Sequence, residues 1–129
     1  MAETELRSKR VFIVEDDALI ATLFEEYLGD LGCEVVGVAH SLAKALDMIG
    51  PLDFDAAILD VNLNGQWAFP VADKLLAKRI PFLFATGYGD AAIPNSLHHV
   101  PTLAKPFQLA ALESGLRAAL GISIENHHP

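Results

Sequence analysis

Charged or polar residues close several short apolar runs in this sequence. Glu15 and Asp16 follow the run "VFIV", and Asp60 closes "AAIL". Thr86 ends the run "FLFA", and Lys105 follows "PTLA". Short, wholly apolar runs are typical of strands that are covered on both faces. If these strands are parallel, their carboxyl ends meet at one edge of the sheet, and the polar residues meet there too.

Such a meeting of side chains predicts a particular chemistry. Carboxylates within a few ångströms repel one another and raise one another's pKa unless a cation neutralises them. Oxygen ligands in an open, hydrated cluster suit Mg²⁺, which keeps several waters and binds one or two carboxylates together with phosphate oxygens. A hydroxyl and an ammonium beside the acids would suit a phosphoryl group. The pattern therefore predicts a Mg²⁺ site that receives phosphate.

The elements that must position these residues form an alternating series. Strands are predicted over residues 11–14, 33–39, 55–60, 81–86 and 100–104. Helical periodicity follows Asp17, Ser41, Pro70 and Gln108. Alternation of this kind implies an α/β fold, with a doubly wound parallel sheet and helices on both faces. The second strand is the more polar one, so we expect it at an edge of the sheet.

The length, charge and apolar content of the sequence exclude several classes of protein. A chain of 129 residues suits one domain. Its formal net charge of -8 argues against binding to nucleic-acid backbones, which requires clustered Lys and Arg. The charged start "MAETELRSKR" lacks the apolar core of a secretory signal, and no apolar run approaches the roughly 18 residues that span a bilayer. We therefore expect a cytoplasmic protein without a membrane segment.

Four segments together resemble the receiver domains of two-component response regulators: "VFIVEDD", "AAILDVNLNG", "FLFATGYG" and "LAKPF". The resemblance covers about residues 9–121, which leaves a flexible N-terminus over 1–8 and a flexible tail over 122–129. The segment "FATGYG" is similar to the single-domain receivers nicknamed FAT GUY. The resemblance implies a flavodoxin-like sheet of order 2-1-3-4-5. It also implies a phosphoacceptor signalling domain, with weak self-phosphorylation and autodephosphorylation, and not an enzyme.

The resemblance implies a phosphoacceptor and its metal ligands. Asp60 would take a phosphoryl group from a histidine kinase or phosphotransfer protein and form an acyl phosphate. Asp16 and Asp60 would bind Mg²⁺ through their side chains. Asn62 would bind it through its backbone carbonyl, and Glu15 through a water molecule.

Further matching positions would hold the transferred phosphoryl group. Thr86 would hydrogen-bond one of its oxygens, and Lys105 would neutralise its charge. Gly87 would let the chain pass close to the phosphate. Pro106 matches a Lys–Pro bond that is usually cis in the family and aims the lysine inward.

One position departs from the family pattern. Most receivers carry an aromatic residue three positions before the lysine, where this sequence has Thr102. The usual threonine–aromatic switch is therefore in doubt, and Tyr88, two residues after Thr86, is a candidate to replace it. Tyr88 and Asn62 also match positions that tune the attack of water on the acyl phosphate, and a bulky ring would shield that bond.

Two connections lack a helical pattern. Pro94 interrupts residues 87–99, and the two halves are shorter than the roughly 12 residues below which an isolated helix is marginal. We expect this segment to be the moving part of the switch. The segment "VNLNGQWAF" after Asp60 reads as a loop, in which Trp67 either packs in the core or faces a partner.

Some other functions conflict with the sequence, and others stay as alternatives to a receiver that signals through protein contacts. A phosphohydrolase on a related sheet would need a second Asp where Asn62 stands. Flavodoxin-like cofactor binding would need a phosphate-cradling loop where "EDD" would repel the ligand. A phosphate sink, a relay stage and a pseudo-receiver that never takes phosphate stay as alternatives. No effector domain is recognised after residue 121, so we expect the output to be contact with a downstream protein of unknown identity.

Overall fold

The computed structural model of the protein describes residues 5–87 and 89–122. Its main sheet has five parallel strands, in the order β2-β1-β3-β6-β7. These strands are β1 (Arg10–Val14), β2 (Glu34–Ala39), β3 (Ala56–Asp60), β6 (Phe82–Thr86) and β7 (Thr102–Ala104). Two short strands, β4 (Asn62–Leu63) and β5 (Gln66–Trp67), lie between β3 and β6 along the chain. The predicted flavodoxin-like order is confirmed, and so is the edge position of the second strand.

The helices that follow the strands begin where the sequence offers caps. They are α1 (Ala18–Asp30), α2 (Leu42–Ile49), α3 (Phe69–Ala77) and α4 (Leu109–Leu120). The side chain of Asp17 accepts hydrogen bonds from the amides of Leu19 and Ile20, and Ser41 caps α2 in the same way. Within the described residues, no helix is long and apolar enough to cross a bilayer.

The helices cover both faces of the sheet because strand residues alternate between the faces. Phe12 and Leu59 face the side that α2 and α3 cover, where Ile49 and Leu75 complete the packing. The opposite face carries α1 and α4, with these members of the second apolar cluster: Val11, Ile13, Ile58, Phe24, Leu28, Leu112 and Leu116. All five residues of β3 are buried. Burial on both faces explains why this strand reads as an unbroken apolar run.

The N-terminal residues that the structure describes pack against the domain. Leu6 is buried in the cluster beneath α1 and α4, and the Ser8 amide donates to the Gly32 carbonyl over 2.8 Å. Residues 1–4 and 123–129 lie outside the described part of the chain. The domain limits at residues 9 and 121, and the flexible segments beyond them, stay predictions.

The loop expected after Asp60 contains a β-hairpin, so that expectation is wrong. Strands β4 and β5 pair antiparallel, with Asn62 opposite Trp67. Asn64 and Gly65 join them with φ of 54° and 87°, as a type I′ turn requires. Trp67 stacks on Phe69 with ring centroids 5.8 Å apart, and 47% of it stays exposed, so it does not enter the core.

The segment between β6 and β7 has no α-helix in its described part. It forms two short 3-10 turns, Gly89–Ala92 and Asn95–Leu97, on either side of Pro94. Ile93 and Leu97 are each only 4% exposed and join the apolar cluster under α3. Tyr88 lies outside the described residues, so its proposed roles stay predictions.

Candidate functional site

The register of the parallel strands brings the predicted acids to one edge. Asp60 ends β3, which pairs with β1, and the amide of Glu15 donates to the Ala39 carbonyl at the end of β2. One carboxylate oxygen each from Glu15, Asp16 and Asp60 lies within 4.8 Å of the others. These residues line a cavity of about 310 Å³ together with Asp17, Ile20, Asn62, Asn64, Gly87 and Lys105.

Lys105 directly follows the edge strand β7 and contacts two of the acids. Its Nζ lies 2.8 Å from Oε1 of Glu15 and 3.2 Å from Oδ2 of Asp60. Burial lowers the pKa of the Lys105 ammonium, but the hydrogen bond with Glu15 and the charges of Asp60 and Glu15 raise it above its ordinary value. Lys105 therefore stays a cation in this cavity.

The loop after Lys105 is anchored to α1. The peptide bond between Lys105 and Pro106 is cis. Phe107 stacks on Phe24 with centroids 4.6 Å apart, and its ring meets that of Tyr27 edge-on at 5.9 Å. This contact fixes the chain two residues after the lysine, so α1 helps to position an ammonium that lies far from it in the sequence.

Asp60 sits in a strongly perturbed environment. It is 6% exposed. Burial, with the hydrogen bond and negative charge of Glu15, raises the pKa of Asp60 to about 7, and the positive charge of Lys105 limits the rise. Without a cation beyond Lys105, this carboxylate is therefore protonated in a large fraction of molecules near neutral pH. A carboxyl group tuned in this way within a cavity is typical of functional sites.

Asp16 is available to a ligand because Asp17 caps α1 in its place. Oδ2 of Asp16 accepts a hydrogen bond of 3.0 Å from the amide of Asn64, at the tip of the hairpin. Burial raises the pKa of Asp16, but hydrogen bonds with Asp60, Glu15 and the Asn64 amide hold it below its ordinary value overall. Near neutral pH, Asp16 is therefore ionised in a larger fraction of molecules than Asp60 is.

The other predicted site residues differ in whether they reach the surface of the cavity. Asn62 lines the cavity, and its side-chain Oδ1 accepts from the Gly65 amide over 2.7 Å. Gly87 also lines the cavity, and a Cβ there would meet no protein atom within 4 Å, so the space beside it is open. Thr86 is 1% exposed and is not among the residues that line the cavity.

Sequence reasoning missed three contributors to this site. His40 Nδ1 lies 2.9 Å from the backbone carbonyl of Glu15; because a carbonyl only accepts, Nδ1 is the donor. Asn64 supplies its amide to Asp16, and Phe107 anchors the lysine loop. The Asn-Gly dipeptide is a strong hairpin signal that could have revealed the turn at Asn64, although not its contact with Asp16. The other two contacts join distant parts of the chain and leave no local signal.

The donor set fits Mg²⁺. Carboxylate oxygens from three residues converge on an open cavity that Asn62 also lines. Such hard oxygen donors, with room for water, match the preference of Mg²⁺ for a few carboxylates and several retained waters. The described residues in this cluster include no His or Cys, the ligands that favour zinc or softer metals.

Fold and site together define a class of protein: a doubly wound domain with an acidic pocket and a lysine at the carboxyl edge of its sheet. The chain belongs to the response regulator receiver domain family, whose profile matches residues 11–117.

Individual relatives agree with this assignment. The transcriptional regulatory protein DcuR of Escherichia coli (strain K12) is 32% identical, over 82% of this chain and 48% of its own. This chain thus spans about half the length of the curated relatives it matches. The solution structure of SdrG from Sphingomonas melonis Fr1 is 40% identical, with a TM-score of 0.80, over 88% of this chain and 97% of that one. The BeF3-activated conformation of SdrG from Pseudomonas melonis Fr1, also 40% identical, gives a TM-score of 0.76 over 88% and 98%.

Proposed function

We propose that this protein is a phosphoacceptor of a two-component phosphorelay and takes a phosphoryl group on Asp60 with Mg²⁺ bound. The observation that carries the proposal is the convergence of three carboxylates within 4.8 Å, with Lys105 Nζ 3.2 Å from Asp60. Such a cluster repels itself unless a further cation enters, and burial beside Glu15 raises the pKa of Asp60 to about 7 while none is bound.

Different residues of the cavity would supply different ligands to Mg²⁺. Asp16 and Asp60 would hold Mg²⁺ through their carboxylates, Asn62 through its backbone carbonyl and Glu15 through water. The bound ion would neutralise charge on the phosphoryl oxygens. Asp60 ends strand β3 and lines the cavity, where its Oδ2 lies 3.2 Å from Lys105 Nζ and its Oδ1 accepts a hydrogen bond of 3.4 Å from the Asn62 amide.

The transfer step needs little from the protein beyond alignment and charge. An oxygen of ionised Asp60 attacks the phosphorus of a phosphohistidine on a histidine kinase or phosphotransfer protein. A phosphorus–oxygen bond forms, the phosphorus–nitrogen bond breaks, and the electron pair returns to the imidazole. Lys105, already beside Asp60, then stabilises the acyl phosphate through a charge-assisted hydrogen bond.

The signal would follow from movement near the phosphoryl group. Thr86 would turn its hydroxyl toward a phosphoryl oxygen, Gly87 would leave space for it, and residues 87–99 would change conformation. The altered surface would contact a downstream protein in the cytoplasm. The similarity to SdrG, for which a BeF3-activated conformation is solved, supports a chain that responds to phosphoryl groups, and "FATGYG" favours the FAT GUY subgroup.

Intact mass spectrometry after incubation with Mg²⁺ and acetyl phosphate tests this proposal. We expect one added phosphoryl group, which Asp60→Asn loses and which chelation of Mg²⁺ prevents. Asp17→Asn is the matched control, because it changes an acid of the same cavity while keeping a good helix cap. Equal labelling of Asp60→Asn and the parent protein contradicts the proposal, and no labelling of the parent favours the pseudo-receiver alternative.

A further inference from the structure

The β4–β5 hairpin reaches back over the acidic cavity. Its turn residue Asn64 lines the cavity and donates its backbone amide to Oδ2 of Asp16 over 3.0 Å, a contact across 48 positions of sequence. Among the described residues between β3 and α3, Asn64 is the residue whose backbone amide donates a hydrogen bond to Asp16.

The backbone conformation of the turn directs the Asn64 amide toward Asp16. Asn64 and Gly65 both have positive φ, which Gly adopts freely and Asn tolerates better than other residues. The Gly65 amide donates to Oδ1 of Asn62 over 2.7 Å, so the side chain of Asn62 braces the turn from within. The Ala68 amide closes the base of the hairpin on the Val61 carbonyl over 2.9 Å.

We propose that this hairpin is a positioning element of the metal site, in which the Asn64 amide orients the carboxylate of Asp16 for Mg²⁺. This inference rests on the proposed function, since it concerns the same metal. Asn64 acts through Asp16 and has no direct part in phosphoryl transfer.

The geometry allows Asp16 to accept the hydrogen bond from Asn64 and to bind Mg²⁺ at the same time. An ionised carboxylate has about four lone-pair positions on its two oxygens, so accepting one hydrogen bond leaves others for a cation. Hydrogen-bond partners behind a metal ligand typically change metal affinity by about 10- to 100-fold when they are removed.

Glycine variants separate positioning from general stability. Gly65 and Gly121 both have positive φ, 87° and 72°, and a Cβ at either position would meet no atom within 4 Å. Valine is therefore strained by the backbone to a similar degree at both positions, but only Gly65 shapes the turn under Asp16. Asn64→Gly keeps positive φ and the amide while it removes the side chain.

Mg²⁺ titration is followed by the fluorescence of Trp67, the single tryptophan, which lies on the hairpin itself, and by calorimetry. We expect Gly65→Val to bind Mg²⁺ about tenfold more weakly, and Gly121→Val and Asn64→Gly to stay within about twofold of the parent. Equal affinity in Gly65→Val and Gly121→Val overturns the inference, as does an equal loss in Asn64→Gly. If the parent itself binds no Mg²⁺, the proposed function fails first; if the parent binds and is phosphorylated but Gly65→Val matches it, only this inference fails.

Amide exchange measured by NMR tests the contact without perturbing the turn. The Asn64 amide should exchange about tenfold faster in Asp16→Ala than in the parent, because its acceptor is gone. The Ala68 amide, bonded to the Val61 carbonyl at the base of the hairpin, should be unchanged. An Asn64 amide that exchanges at the same rate in both proteins rules out the hydrogen bond and with it the inference.

Discussion

Lys105 lies closer to Glu15 than to Asp60: its Nζ is 2.8 Å from Oε1 of Glu15 and 3.2 Å from Oδ2 of Asp60. The first contact joins residues 90 positions apart and bridges the two strands that flank the site. In this arrangement the ammonium already neutralises part of the acidic cluster. Under the proposed function, Lys105 and an incoming Mg²⁺ would therefore compete for the carboxylates of Glu15 and Asp60.

Replacing Lys105 with Ala should leave Mg²⁺ binding intact or tighten it. Removing one cation a few ångströms away changes the interaction by about 1 kcal/mol, or roughly fivefold in affinity. The phosphorylated variant should fail to signal, because a charge-assisted hydrogen bond worth about 1.5–3 kcal/mol is lost. Calorimetric titration with Mg²⁺ checks the first part, with exposed Lys44→Ala on α2 as control. Weaker Mg²⁺ binding in Lys105→Ala would contradict this account.

The stability of the metal-free protein should fall as pH rises from 5 to 8. Asp60 has a pKa of about 7 in the folded protein, raised by burial and by Glu15, against 3.8 as its ordinary value. Between these values the folded state binds more protons than the unfolded chain, so the free energy of unfolding decreases with rising pH. Chemical unfolding at pH 5, 6, 7 and 8, with a chelator present, measures this slope.

Asp60→Asn removes the titrating group and should flatten that slope. At pH 8 the variant should be about 1–3 kcal/mol more stable than the parent, because no buried carboxylate must ionise, and at pH 5 the two should be similar. Asp73→Asn, at an exposed position on α3, should keep the parent's slope. Parallel pH profiles for the parent and Asp60→Asn would show that Asp60 does not titrate in this range.

Phe107→Ala should impair both stability and phosphorylation. The half-buried ring stacks on Phe24, so its loss should cost about 2 kcal/mol. It should also slow labelling by acetyl phosphate several-fold beyond what the unfolded fraction explains, because the loop that carries Lys105 loses its anchor. Phe54→Ala is the control: Phe54 packs on Phe12 with centroids 5.2 Å apart, away from the cavity. Equal labelling rates for the two folded variants would assign Phe107 a purely structural role.

The grouping of the acids could be predicted because it depends on where short apolar runs end, whereas the order of the strands was implied by the resemblance to receiver domains. Residues buried on both faces make β3 an unbroken apolar run, and Asp60 at its end must lie at the carboxyl edge of a parallel sheet. The ends of elements were predicted less well. Residues 100 and 101 were assigned to the last strand, which begins at Thr102. Val100 is buried in the apolar cluster under α2 and α3, and its amide donates to the Leu97 carbonyl over 3.1 Å, so it is an apolar core residue that precedes the strand.

The contacts that refine the site depend on the tertiary fold. Nothing near Asp16 in the sequence indicates that a turn amide from Asn64 will bond it, and nothing near Lys105 indicates an anchor on α1. Trp67 shows a related difficulty. An aromatic residue between a buried strand and a helix fits the core or the surface equally well, and the hairpin turn decides that it stays half-exposed.

Residues 87–99 should be the most labile segment around the site. In its described part the segment has two short 3-10 turns and few backbone hydrogen bonds, such as that from the Leu97 amide to the Pro94 carbonyl. Ile93 and Leu97 are its large apolar anchors, both buried against the core. Low local stability is what a switching segment requires, and these two side chains should allow it to redock in another position.

Hydrogen exchange with and without Mg²⁺ and beryllofluoride, a phosphoryl mimic, measures that lability. In the free protein the amides of 87–99 should exchange at least about tenfold faster than those of α4, since the described part of the segment has only two short 3-10 turns and no continuous helical hydrogen bonding. With both ligands bound, charge and acceptor oxygens beside Thr86 should pull its hydroxyl inward and order the attached loop, so that exchange slows. Asp60→Asn should show no slowing on the same additions. If the segment is as protected as Leu109–Leu120 in both states, some other part of the protein carries the signal.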